Sequence, residues 1–140
     1  MLKEKLISAE MKNAIADIAR AHRLRLVVLY GSVARDTETA MSDVDIGILG
    51  ETLLSHEDEA RIGEEIARAA DMANVEVRSL HRVSPLFLYQ VMSEGVVLFA
   101  DTPSRAQELR LYAWKLSAET KRMRDLRYAR VKARIEAYVR

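Results

Sequence analysis

The sequence predicts an α/β (α+β) domain in which a small mixed β-sheet is flanked by helices and followed by a long C-terminal helical arm. Three patterns predict it. Short apolar runs at residues 24–30 and 96–100 are bounded by turn residues, as buried strands are. Residues 42–49 (SDVDIGIL) alternate, with Asp43 and Asp45 on one face and Val44, Ile46 and Ile48 on the other. Between these strand signals lie stretches with apolar residues at helical spacing, and strands alternating with helices mark a layered α/β domain.

Taken in order, Met11, Ile15, Ile18 and Ala19 share one face of a helix over residues 8–22, with Ser8 as its N-cap. The strand at 24–30 (LRLVVLY) ends at Gly31, where a turn or short helix leads to the alternating strand. Ser55, with Asp58 three residues on, offers a capping box to a helix reaching about Met72. Val75 and Val77 mark a third strand. Ser84-Pro85 supplies the cap and first turn of the next helix, and Gly95 ends it. After the strand at 96–100, Thr102-Pro103 opens a last helix that meets neither Gly nor Pro before Arg140. Unbroken, that helix would span about 55 Å at 1.5 Å per residue. This exceeds the diameter of the head, so part of it must break, project or pack on another chain. The chain divides into a core, residues 1–103, and a basic helical extension, residues 104–140, that packs on the core, on a partner, or on both.

Charge follows the same division. The extension carries 11 Lys and Arg against 4 Asp and Glu, whereas the preceding residues carry 11 against 17, so the net charge of +1 hides an acidic head and a basic tail. With 0 cysteines, disulfides, thiolate metal sites and a cysteine nucleophile are excluded. No apolar run approaches the roughly 18 residues of a membrane span, so a cytoplasmic protein with no membrane partner is expected. His22, His56 and His81 match no metal spacing, and the acidic run at 57–65 reads as a solvated helix face. Leu109, Tyr112, Leu116, Met123 and Leu126 form an apolar stripe along the tail. Its first part suits closure over the core. The Arg/Lys density beyond Lys121 suits a partner helix or acidic protein surface, with nucleic acid (RNA) not expected but left open.

The chemistry concentrates in one stretch. Two carboxylates one residue apart on a strand lie close together, a costly arrangement unless a cation bridges them. Mg²⁺ prefers such oxygen ligands and shares them with substrate phosphates. Upstream, Tyr30-Gly31-Ser32 ends a strand in a turn whose backbone N–H groups suit phosphate oxygens, with the Ser32 hydroxyl as a further donor. A solvated strand face is the plainer reading of Asp43 and Asp45. Ser32 equally fits a helix N-cap, and Arg35 an ion-pair partner of Asp36 or a phosphate contact.

Gly31-Ser32-Val33-Ala34-Arg35, ten residues between Ser32 and Asp43, and Ser42-Asp43-Val44-Asp45 together resemble the signature of the minimal nucleotidyltransferases (MNT) of the DNA polymerase β-like superfamily. The resemblance covers about residues 10–115 and implies the polymerase β-like nucleotidyltransferase fold. It further implies ATP as substrate and two Mg²⁺ ions. The catalytic and metal-binding set it implies is Asp43, Asp45 and a third carboxylate; the nucleotide-binding set is Gly31, Ser32, Arg35 and Ser42. The third acid falls in Val75-Glu76-Val77-Arg78-Ser79-Leu80, where Glu76 stands for the first Asp of the family's Val-Asp-x-x-Asp-Leu and Ser79 for the second. Arg78 shares Glu76's strand face and is its candidate ion-pair partner. Asp36 stands where the family usually has Gly.

Length and ending look like the antitoxin branch, in which an MNT protein is paired with a HEPN ribonuclease toxin. This resemblance implies an antitoxin that transfers AMP from ATP to a tyrosine of its toxin. Two alternatives accompany it: a catalytically weak or dead MNT that neutralises its partner by binding, and a small-molecule nucleotidyltransferase of the aminoglycoside-modifying kind.

Overall fold

The computed structural model describes residues 2–39 and 43–139, and at its centre the apolar run Leu24–Tyr30 forms strand β1. Strands β2 (Val44–Gly50) and β4 (Val96–Ala100) pair with β1 antiparallel, and β3 (Val75–Ser79) joins β2 in parallel. The sheet is therefore mixed, in the order β3-β2-β1-β4.

Both faces of the sheet are covered, as the continuous apolar character of β1 requires. Helices α1 (Leu2–Ile7), α2 (Ala9–Ala21) and α4 (His56–Ala70) cover one face, where Leu6, Ile15, Ile62 and Ile66 meet Val27, Leu29, Ile46 and Ile48. Helix α5 (Pro85–Glu94) and the start of α6 (Arg105–Val139) cover the other, with Leu88, Val91, Met92 and Ala113 packed near Leu26, Val28 and Leu80. A period of two would send Leu24 to the same side as Leu26. A register shift between them instead delivers Leu24 to the first face.

The caps read from the sequence are present. The Ser8 side chain accepts from the Met11 N–H at 3.3 Å, and Ser84 accepts from Phe87 at 3.2 Å with Pro85 in the first turn. Ser55 and Asp58 form both halves of a capping box. Helix α4 stops slightly before Met72, because Asp71 turns left-handed at φ 52° and closes it. Helix α1 has no counterpart in the sequence reading. Its 6 residues are too few to show a period, although Leu6 is fully buried.

The last helix is unbroken over 35 residues, about 52 Å at 1.5 Å per residue. Its first half lies along α5, where Leu109 is half-buried, Ala113 and Ser117 are buried, and Arg110 Nε donates to the Met92 carbonyl at 3.0 Å. From Lys121 to Val139 every residue except Arg124 is exposed, so the arm projects. The apolar stripe divides accordingly: Leu116 is half-buried, while Met123 and Leu126 stand in solvent. Among the described residues no helix is long and apolar enough to cross a membrane.

Ile46, fully buried on β2 next to Asp45, should test how far the core sustains the strand. Ile46→Ala is expected to cost about 2–5 kcal/mol in urea unfolding.

Candidate active site

The candidate site forms where β1 ends and β2 and β3 begin. Antiparallel pairing sets Tyr30 opposite Asp45, and parallel pairing sets Asp45 opposite Glu76. Residues opposite each other in a sheet point to the same side, so the three form a row on the face that carries α5. Val44 and Ile46, 2% and 0% exposed, point the other way and anchor β2 in the core. Asp43 lies exposed just ahead of the strand. Ser42 lies outside the described residues.

The chain leaves β1 directly into the short helix α3 (Gly31–Ala34). Gly31 has φ +78°, and a Cβ placed there would lie 2.3 Å from Asp45 Oδ2. Glycine is thus required twice, for the left-handed backbone and for the approach to the carboxylate. Ser32 is the second residue of α3, so it is not the cap. Tyr30 holds that position, and its side chain makes no capping hydrogen bond. Backbone N–H groups that open a helix suit phosphate oxygens.

Two charges lie differently from the simplest sequence reading. Arg35 pairs with Glu94 of α5 at 3.1 Å, not with Asp36. Asp36 pairs with Lys3 of α1 at 3.1 Å and adopts φ +58°. It preserves the left-handed turn that glycine would permit, since Asp tolerates this region better than most side chains. Its negative charge also meets a cation.

Glu76 accepts a hydrogen bond from Arg78 Nη2 at 3.0 Å, as their shared face implies. The Arg78 guanidinium lies over the Phe87 ring, 5.5 Å from its centroid, and Phe87 meets Tyr30 edge-on at 5.6 Å. Ser79 is fully buried, and its N–H donates to Glu59 Oε1 at 3.3 Å. Glu59 also accepts from Arg82 Nη1 at 3.0 Å, and Glu65 pairs with His22 at 2.6 Å. The acidic run of α4 is therefore only partly a solvated face. A cavity of about 260 Å³ lined by Tyr30, Gly31, Arg35, Phe87 and Glu94 opens on one side of Phe87. A second, of about 490 Å³, is lined by Glu76, Arg78, Arg82 and Phe87.

Burial raises the Asp45 carboxyl above its ordinary range, and the negative charges of Glu76 and Asp43 raise it further, while Arg78 and Arg35 oppose them. Burial likewise pushes the Tyr30 hydroxyl up to about 12, with Arg78 opposing and Asp45 and Glu76 adding to the rise. Tyr30 is consequently a neutral phenol at physiological pH. Carboxylate oxygens crowded enough to disfavour ionisation are the donor set that a hard divalent cation relieves. The residues fit Mg²⁺ in chemistry. Among the described residues, however, no three acidic or histidine side chains stand together as a metal-binding group. Tyr30, Phe87 and Glu94 were not picked out as site residues from the sequence. The period of two along β1 could have found Tyr30; no local pattern marks the other two.

A strand-turn-strand unit with this glycine and this carboxylate row is the framework of a nucleotidyltransferase. The family model described as Polymerase beta, Nucleotidyltransferase matches residues 13–104, and the chain belongs to that family. Among solved structures, it resembles a chain of a toxin–antitoxin complex crystallised with AMP-PNP, at 25% identity and TM-score 0.66, over 81% of this chain and 95% of that one. It also resembles a chain of the tri-AMPylated Shewanella oneidensis HEPN toxin in complex with MNT antitoxin, at 22% identity and TM-score 0.61, over 89% and 97%. A third is a chain of the MntA–HepT toxin–antitoxin complex, at 23% identity and TM-score 0.60, over 81% and 93%. The resemblance to MNT antitoxins read from the motif is thus borne out in the fold. Comparison with curated proteins returned no match.

Gly31→Ala is expected to lose about 1–2 kcal/mol from left-handed strain alone and to displace the Asp45 carboxylate; chemical denaturation measures the first. Asp45 provides a pH test. With its folded-state pKa above the ordinary 3.8, the stability it contributes is present in acid and lost as pH rises through the raised value. Asp45→Asn should therefore unfold at a higher temperature than the parent at neutral pH in EDTA, and the difference should vanish below the ordinary carboxylate range.

Proposed function

We propose that the protein is an antitoxin-type adenylyltransferase that moves AMP from ATP to a hydroxyl, a tyrosine, of a HEPN ribonuclease partner. The observation that carries this reading is the contact of the Gly31 turn with Asp45, itself in register with Glu76. Phosphate-binding backbone and acidic ligands thereby share one site. The AMP-PNP in the toxin–antitoxin structure matched at 25% identity supports ATP as substrate and a toxin as partner. AMP transfer to protein, and tyrosine as acceptor, rest on the motif resemblance.

In this reading the first turn of α3 and the Ser32 hydroxyl hold the β- and γ-phosphates, with Arg35 and Ser42 as further nucleotide contacts. Asp43, Asp45 and Glu76 hold Mg²⁺, which when bound neutralises charge at the α-phosphate and the leaving pyrophosphate. The acceptor oxygen would form its bond to the α-phosphorus as the bond to pyrophosphate breaks, its proton passing to Glu76 where that carboxylate acts as base instead of assisting the second ion, and otherwise to solvent. Residues 104–140 form an extension whose first half packs on the core and whose exposed half meets the partner. The cytoplasm is the compartment this chemistry suits.

A second reading, an antitoxin that neutralises by binding alone, is favoured by the engagement of Glu76 with Arg78 and by the long exposed arm. Incubation with labelled ATP, Mg²⁺ and the HEPN partner separates the two. Transfer predicts label on a partner tyrosine. It also predicts abolition by EDTA and a loss of at least about 100-fold in Asp43→Ala/Asp45→Ala, as removal of metal ligands implies. Neutralisation without label, undiminished in that double variant, would establish the binding reading instead.

A further inference from the structure

The mechanism just described uses the Glu76 carboxylate and leaves Arg78 without a part, yet the two are hydrogen-bonded to each other. Three features define the pair. Both side chains are about half exposed, 48% for Arg78 and 52% for Glu76, and solvent-exposed ion pairs contribute only about 0.2–1 kcal/mol. The bond is therefore weak enough for a divalent cation to displace. Arg78 is also held from its other side by the Phe87 ring, which in turn rests on Tyr30, the residue opposite Asp45. The guanidinium thus has a fixed seat that does not depend on Glu76 alone. Finally, the cavity of about 490 Å³ lined by Arg78, Arg82, Glu59 and Phe87 leaves room for the side chain to move while it keeps its aromatic contact.

We propose that Arg78 is a positioning residue that acts as an internal counter-cation. It holds Glu76 on itself and yields that carboxylate to an incoming divalent cation, so that it sets the cation concentration at which the three-carboxylate site closes. The inference rests on the metal-site reading of Asp43, Asp45 and Glu76. Its chemistry is competition: the guanidinium, bonded to Glu76 Oε1, and a divalent ion draw on the same carboxylate charge, so each weakens the other's hold on it. Arginine suits this role because its planar fork bonds the carboxylate while its face stacks on an aromatic ring. Lysine would keep the charge and lose the seat.

Titration of the full-length protein with Mn²⁺ alone, free ion being read by electron paramagnetic resonance, tests the proposal without nucleotide or turnover. Arg78→Gln is expected to bind Mn²⁺ about fivefold or more tightly than the parent at low salt, the effect of removing one unit charge a few ångströms away even at the dielectric of water. Arg78→Lys should fall between them, and the gain from Arg78→Gln should largely disappear in a Glu76→Gln background. Parent-like or weaker Mn²⁺ binding by Arg78→Gln overturns the proposal and leaves the metal site standing. An undiminished gain in the Glu76→Gln background also overturns it, since Arg78 would then act only through its overall charge. If Mn²⁺ binds neither the parent nor Arg78→Gln, and Asp43→Ala/Asp45→Ala behaves identically, the metal-site reading falls and the proposal with it. Circular dichroism of each variant confirms that folded proteins are compared.

Discussion

The closeness of the Gly31 backbone to the Asp45 carboxylate governs the rest of the site. It follows from the β1–β2 register, which sets Tyr30 opposite Asp45 and obliges the chain leaving β1 to turn across that carboxylate. The register in turn is enforced from beneath. Val44, Ile46 and Ile48 are buried on the opposite face of β2, and a slip of one residue would drive Asp45 into the core in their place. Burying an ionised carboxylate without a partner costs far more than any hairpin strain it would relieve. The apolar face of β2 is thus as much a part of the site as its acidic face.

Around this contact the molecule distributes cations over the acidic head's excess of negative charge. Lys3 meets Asp36, Arg35 meets Glu94, and Arg78 meets Glu76, each from a different element. Asp45 is the exception: its two opposing arginines act through space, and burial with its acidic neighbours prevails. The aromatic pair Tyr30–Phe87 closes one side of the site and lowers the local polarity, which strengthens whatever charge interaction occurs there.

Most of the architecture was legible in the sequence because its signals are local. Alternation in residues 42–49, Gly31 at a strand end and the caps at Ser8, Ser55 and Ser84 each state a backbone preference that the tertiary structure did not override. The Glu76–Arg78 pair was legible for the same reason, since the period of two is a local rule. What escaped depends on packing between distant segments. The Lys3–Asp36 pair spans 33 residues and Arg35–Glu94 spans 59, and no residue pattern near either partner announces them. Helix α1 was missed because a helix of 6 residues draws its stability from tertiary contact and not from periodicity. The register shift at Leu24 is likewise set by the neighbouring strand.

The unbroken arm imposes a constraint of phase. Each residue of an α-helix rotates the following part by about 100° and advances it by about 1.5 Å. Up to Thr120 the helix is fixed to α5 and the sheet; beyond it, basic and apolar side chains radiate into solvent on a rigid continuation of the same rod. A single inserted or deleted residue near Met123 would leave the head's packing untouched while swinging the whole distal surface a quarter-turn or more out of alignment. The chain length between the two halves is therefore a coded angle. Anything that grips the arm while presenting a group to the carboxylate row is selected for that angle as well as for its chemistry.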